Sequence, residues 1–178
     1  GAARFRRVQH EIIGNNETAL AAAAQAATRG GLRTVLFSTP LVGEASRAGA
    51  AFASLAECLS KGKGMLRRPY CIVAGGETTV TVTGQGRGGR AQEFAVAAAC
   101  EIADLHKVWV AAVGTDGTDG PTDVAGAVVS GATVDQAKPE GVNLRRALTQ
   151  HNTYPALHAL KSHIVTGPTG TNVNDLYL

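Results

Sequence analysis

The alternation of apolar and polar positions divides the chain into short helix and strand segments. Asn15 and Asn16 stand before an alanine-rich run, Ala19 to Ala27, and are good helix N-caps. Gly30-Gly31 ends that helix, and Thr34 to Phe37 then reads as a short buried strand. A second helix is expected from about Glu44 to about Leu59, stopped at Lys61-Gly62-Lys63-Gly64. Tyr70 to Ala74 reads as an apolar strand, Gly75-Gly76-Glu77 as a turn, and Thr78 to Thr83 as a period-two strand. A glycine-rich loop, Gly84 to Gly89, leads into a helix from Arg90 to about Ala103, with a stripe through Phe94, Ala97, Ala98 and Ile102.

Val108 to Val113 is the most apolar segment and reads as a central strand. Beyond it lies the Asp- and Gly-dense loop Gly114 to Asp123. Helical pieces are expected at 123–129, 133–138, 143–150 and 155–160, then a short strand at 163–165 and a final polar loop from Thr166 to Asp175. The fold class this pattern implies is α/β, a layered helix–sheet–helix arrangement with a mixed sheet. The best internal boundary is the basic stretch Lys61 to Arg68, which separates residues 1–66 from 67–178.

Composition narrows the partners. Hydrophobic residues make up 44% of 178, so the chain can bury a core, and aromatics are only 4%, which favours close packing of small residues. The net charge of +3 fits a small anionic ligand and excludes a dense nucleic-acid groove; Arg4-Phe5-Arg6-Arg7 reads as a solvated edge. Cys58, Cys71 and Cys100 lack disulfide or zinc spacing and read as buried free thiols. No run reaches membrane length, and the first residues carry no secretory signal or initiator Met. The expected compartment is the cytoplasm, with the mitochondrion as alternative, and the chain is expected to be cut from a longer protein.

Three polar, glycine-rich loops follow three apolar strands, and ligands collect beyond the carboxyl ends of strands in α/β sheets. One shared site is therefore expected. In the first loop Gly86, Gly88 and Gly89 free backbone N–H groups for an anion, while Arg87 and Arg90 add forked cationic donors. Its match to G-x-G-x-x-G is read as coincidental, because the preceding strand alternates and no acidic partner follows at the right distance. The second loop offers Asp116 and Asp119 as Mg²⁺ ligands, against a reading as turn and cap residues. The third offers Thr169, Thr171 and Asn172 as an anion cradle, although taken alone it reads rather as a plain multi-turn loop. Glu77 is placed to orient an arginine or hold a metal, and the five histidines show no paired spacing.

In order along the chain stand Gly75-Gly76-Glu77-Thr78-Thr79-Val80, Gly88-Gly89-Arg90, Gly114 through Asp123 and Thr166 through Leu176. This succession resembles the MOFRL domain of the type-II glycerate kinases, a family once described as hydroxypyruvate reductases. The resemblance runs from about Pro69 to the end, and Ile13-Gly14-Asn15-Asn16 and Gly43-Glu44-Ala45 resemble the last stretch of the family's larger N-terminal domain. It implies phosphorylation of D-glycerate to 2-phosphoglycerate by ATP with Mg²⁺, in a cleft between two domains. It also implies that most of the N-terminal domain, with its essential lysine, lies outside this chain. On that reading Arg90 and Asp116 are catalytic. One departure is visible: the family's Gly-Gly-Arg-Asn-Gln-Glu is here Gly88-Gly89-Arg90-Ala91-Gln92-Glu93, without the amide at 91. A nicotinamide-dependent hydroxypyruvate reductase and a non-catalytic binding module remain the alternatives.

Overall fold

The computed structural model describes residues 8–9, 11–61 and 68–178. The Arg4–Arg7 cluster, the glycines expected to stop the second helix and the boundary at 66/67 lie outside the described residues. Helix α1 (Asn16–Arg29) is followed by strands β1 (Arg33–Leu36) and β2 (Leu41–Glu44), helix α2 (Ala45–Lys61) and strand β3 (Tyr70–Thr79). Then come α3 (Arg90–Glu101), β4 (Trp109–Gly114), β5 (Gly126–Ser130), α4 (Thr133–Ala137), α5 (Leu144–Thr149), α6 (Thr153–Ala159), β6 (His163–Ile164) and β7 (Asp175–Tyr177).

The strands form one open mixed sheet, ordered β1-β3-β7-β4-β5-β6, with β2 also on β3. β1 and β2 run parallel to β3, while the pairs β3–β7, β7–β4, β4–β5 and β5–β6 are antiparallel. α1 lies over one face, where the missing Cβ of Gly75 leaves room for the Asn16 side chain. On the other face Ile72, Ala74, Val110, Ala112 and Tyr177 share a core with Phe94 of α3 and Phe52 of α2. Phe94 stacks on Tyr177 at 4.2 Å between ring centroids. The expected α/β layering with a mixed sheet is thus the architecture of the chain.

α1 begins as its sequence dictates. Asn15 Oδ1 accepts from Thr18 N at 3.0 Å, and Thr18 Oγ1 accepts from Asn15 N, closing a capping box. α3 is buried from Ala91 through Ala99, not along a stripe alone. Alanines on every side let α2, α5, α6 and the sheet approach it closely.

Four local expectations are corrected. Gly75-Gly76-Glu77 is no turn: β3 runs straight through it, because Gly76 (φ +149°) admits the backbone of Leu41 where a side chain would collide. Strand structure ends at Thr79 instead of Thr83, and Thr81 N turns to donate to the Glu44 carboxylate. Residues 126–130 form a strand where a helix was expected, since Ala127 and Val129 complete the core beneath α3 and pair with β4. β2 and β7 were not anticipated; each is a short segment extended by pairing with a long neighbour. None of the three thiols is fully buried as expected: Cys58 is exposed, and Cys71 and Cys100 are half-buried. No described helix is long and apolar enough to cross a membrane.

Candidate active site

The carboxyl ends of β3 and β4 and the start of β7 meet at one end of the sheet, with Gly76 and Gly114 flanking Asp175 in register. Arg90, the first residue of α3, reaches over this junction. Its Nε donates to Asp175 Oδ2 at 2.7 Å and its Nη2 to Asp175 Oδ1 at 3.0 Å, a two-pronged pair. Its Nη1 donates to Glu77 Oε1 at 3.0 Å. Asp175 is buried, whereas the Arg90 and Glu77 side chains are 32% and 52% exposed, so the pair runs from the protein interior to the surface. Behind the pair, Tyr177 Oη donates to Asp175 Oδ2 and lies 3.1 Å from Thr78 Oγ1.

The electrostatics follow the burial. The hydrogen bond from Arg90 to Asp175 raises the guanidinium pKa further above its usual range. Burial pushes the Asp175 carboxyl up, opposed by Arg90, and burial likewise raises the Tyr177 phenol. The guanidinium is permanently charged, and two carboxylates fix its plane.

Asp119 lies elsewhere than an open metal ligand would. It is 3% exposed, and its carboxylate sits under the N-terminus of α3. Oδ1 accepts from Ala91 N at 3.0 Å, and Oδ2 accepts from Gln92 N and Gln92 Nε2, each at 2.9 Å. The anion at this helix start is the chain's own side chain. Burial, the largest influence, raises the Asp119 carboxyl while these donors oppose it. Gly89 packs directly on that carboxylate, and Gly86 and Gly88 pack on the Gln150–Thr153 segment.

Asp116 stays nearer the surface. Its Oδ1 accepts from Thr118 N at 2.9 Å and from Thr118 Oγ1 at 3.1 Å, while Oδ2 faces Asn172 Nδ2 at 3.4 Å. The second and third loops are stitched together at this point. Thr169 N donates to Asp116 O, Thr169 Oγ1 donates to the carbonyls of Thr115 and Thr171, and Val173 N donates to Thr115 Oγ1. Arg87 is anchored through its backbone to Asn152 and Tyr154, and its guanidinium lies 4.1 Å from the centre of the Tyr154 ring.

The three loops therefore converge through Asp119, Asp116 and Asp175. Sequence reasoning missed Asp175 and Tyr177 as members, and the signal was a lone acid before the apolar run Leu176-Tyr177-Leu178. It also missed His151 (φ +52°), whose Nδ1 lies 2.8 Å from buried Glu93 and whose Nε2 lies 3.1 Å from Thr83 Oγ1. That histidine ties the entrance of the first loop to α3. Among the described residues, no cluster of three or more His, Cys, Asp and Glu could hold a metal alone.

The arginine–carboxylate array lies beyond the carboxyl ends of β3 and β4, where ligands collect in α/β sheets. The family model for the MOFRL family matches residues 70–175, and the chain belongs to that family. It is 39% identical over 96% of its length to the glycerate 2-kinase of Pyrococcus horikoshii, and 39% identical over 96% to the D-glycerate 2-kinase of Thermotoga maritima. It covers 39% and 41% of those two proteins. The crystal structure of a Thermotoga maritima glycerate kinase superposes with a TM-score of 0.91 at 38% identity, covering 95% of this chain and 41% of that one. The chain thus spans about two fifths of the relatives it matches.

Proposed function

We propose that this chain is the C-terminal part of a glycerate 2-kinase, which moves the γ-phosphate of ATP to D-glycerate and gives 2-phosphoglycerate. The chain would supply one wall of a site between two domains, with residues 67–178 as the MOFRL unit and 1–66 as the tail of the larger domain. The observation that carries the reading is the Arg90 guanidinium. Asp175 and Glu77 hold it in one plane at the end of the sheet, where its side chain is still partly exposed. Phosphoryl transfer needs just such a positioned cation near the transferring oxygens.

In this proposal Arg90 contacts the transferring phosphate and Asp175 positions it. Glu77 is exposed enough to exchange its bond with Nη1 for one from substrate. Arg87, with the backbone of Gly86 and Gly88, lies along the phosphate chain, and Thr169, Thr171 and Asn172 face the acceptor side. Mg²⁺ is held in such sites by one or two carboxylates together with phosphate oxygens. Asp116 fits that role, because Oδ2 keeps acceptor capacity, and bound Mg²⁺ would neutralise phosphate charge there. Asp119 does not fit, since both its oxygens serve the helix. The free thiols agree with a reducing compartment, and we place the enzyme in the cytoplasm.

The packing weighs against the reductase alternative. A dinucleotide fingerprint needs an open helix N-terminus for the pyrophosphate, and Asp119 fills this one. The test is turnover by the longer protein containing this chain, with phosphorus NMR to distinguish 2- from 3-phosphoglycerate. ATP-dependent 2-phosphoglycerate formation supports the proposal. NADPH oxidation with hydroxypyruvate in place of phosphorylation would overturn it. The 178-residue chain alone should show no turnover, which separates one wall of a site from a complete enzyme.

A further inference from the structure

Three side chains from distant parts of the chain form a line at the entrance of the first loop. Glu93 stands in the first turn of α3 and is buried. His151 follows the C-terminal end of α5 and places its Nδ1 2.8 Å from Glu93 Oε1. Its other ring nitrogen, Nε2, lies 3.1 Å from Oγ1 of Thr83, the exposed residue that precedes the glycines. A hydroxyl within hydrogen-bond reach of an imidazole, itself held by a buried carboxylate, is the arrangement that activates a nucleophile. With its proton on Nδ1, the imidazole donates to Glu93 and accepts from the Thr83 hydroxyl. Burial raises the Glu93 carboxyl, and the bond to His151 opposes that shift.

The backbone is shaped around this line. His151 (φ +52°) occupies a left-handed position just past a helix end, where glycine or asparagine is favoured. The side chain there bonds Glu93 and Thr83 at once, which glycine could not do. Gly84 and Gly86 pack on the backbone of Gln150 and His151, where a Cβ on either would collide, and this contact sets Thr83 against the ring. Among the described residues no hydrogen bond involves the N–H of Gly84, Gln85 or Gly86. In hydrolases the N–H that follows the nucleophile serves as an oxyanion donor, and here it belongs to Gly84.

We propose that Thr83, His151 and Glu93 form a second reactive centre, a threonine nucleophile that takes the acyl group of a small activated ester. Thr83 Oγ1 attacks the ester carbonyl carbon, and its proton passes to His151 Nε2. Glu93 positions the imidazolium through Nδ1–H. The bond from the acyl carbon to the leaving oxygen then breaks, and that oxygen takes the proton from Nε2. Water attacks the acyl-threonine by the same route, releasing the acid and restoring Thr83. Because Thr83 is exposed, the substrate class is an unhindered ester with a good leaving group. Neither Thr83 nor His151 belongs to the arginine–carboxylate array, and the inference is independent of the kinase reading.

The test mixes the longer protein containing this chain with p-nitrophenyl acetate, quenches in acid and maps the acetylated peptides by mass spectrometry. Acetyl should build up on Thr83 at least about tenfold faster than on Thr149, an exposed threonine whose hydroxyl donates to the Arg146 carbonyl instead of an imidazole. His151→Asn suits the left-handed backbone and lacks the base, and it should slow acetylation of Thr83 by about a hundredfold. Thr83→Val should keep the melting temperature and lose the nitrophenolate release that accompanies Thr83 acetylation. Acetylation of Thr83 no faster than that of Thr149 would overturn the proposal, and that comparison needs no variant to fold. So would equal acetylation of Thr83 in folded His151→Asn, which would leave His151 as a strut between the loop and α3.

Discussion

The backbone N–H and the side-chain amide of Gln92 both donate to Oδ2 of Asp119, each at 2.9 Å. One carboxylate thereby closes the N-terminus of α3 and joins the second loop to the first. Asp119→Ala removes the acceptor for three buried donors. It should cost about 2–3 kcal/mol of unfolding free energy, read by urea titration of this chain. Asp119→Asn keeps one acceptor and should cost less. A stability change within about 0.5 kcal/mol, the level of a neutral surface substitution, would show that the cap carries no weight.

Gly89 belongs to the same contact. Its φ of −153° suits any residue, and the nearest obstacle to a side chain is the Asp119 carboxylate. Gly89→Ala should destabilise by about 1–3 kcal/mol through crowding. In the Asp119→Ala background the same change should cost less, because the obstacle is gone. A double-mutant cycle with coupling below about 0.5 kcal/mol would contradict this account.

Much of this arrangement was legible in the sequence. Helices α1 and α3, strand β4 and the meeting of three loops followed from caps, alternation and glycine spacing. What escaped depended on partners far along the chain. Glu77 reads locally as a turn residue, and only β2 and β7 beside it make it part of a strand. Asp119 reads as a surface ligand until α3 is placed above it, 28 residues back along the chain at Ala91.

His163 makes stability depend on pH. Burial lowers its imidazole pKa, with His158 adding to the shift, and its Nε2 is buried without a partner. The unfolded chain therefore binds the proton more readily, and stability should fall as pH drops below about 6.5, the unfolded value. The urea midpoint should decline from pH 7.5 to 5.5 more steeply for the native chain than for His163→Phe. Identical slopes would exclude His163 as the source. The carboxyls raised by burial, Glu93, Asp119 and Asp175, act in the opposite sense and are common to both proteins.

Asp116 and Asp119 should separate in a magnesium titration of the longer enzyme. Asp116→Asn should raise the Mg²⁺ concentration for half-maximal rate by about tenfold, since it removes one charged ligand. Asp119→Asn should lower the melting temperature and leave that concentration unchanged. The reverse pattern would return the metal to Asp119.

The most direct test of the account is the kinetics of Arg90 in the longer enzyme. Asp175 fixes the guanidinium, so it is preorganised for charge that develops during transfer. Arg90→Ala also strands a buried carboxylate, which should cost about 1–3 kcal/mol of stability, so rates are measured well below the variant's melting temperature. Under those conditions kcat should fall roughly a hundredfold or more, and Arg90→Lys should recover only part of it, having the charge without the fork. Near-normal kcat and KM in folded Arg90→Ala would contradict the account and leave Arg90 as a structural partner of Asp175.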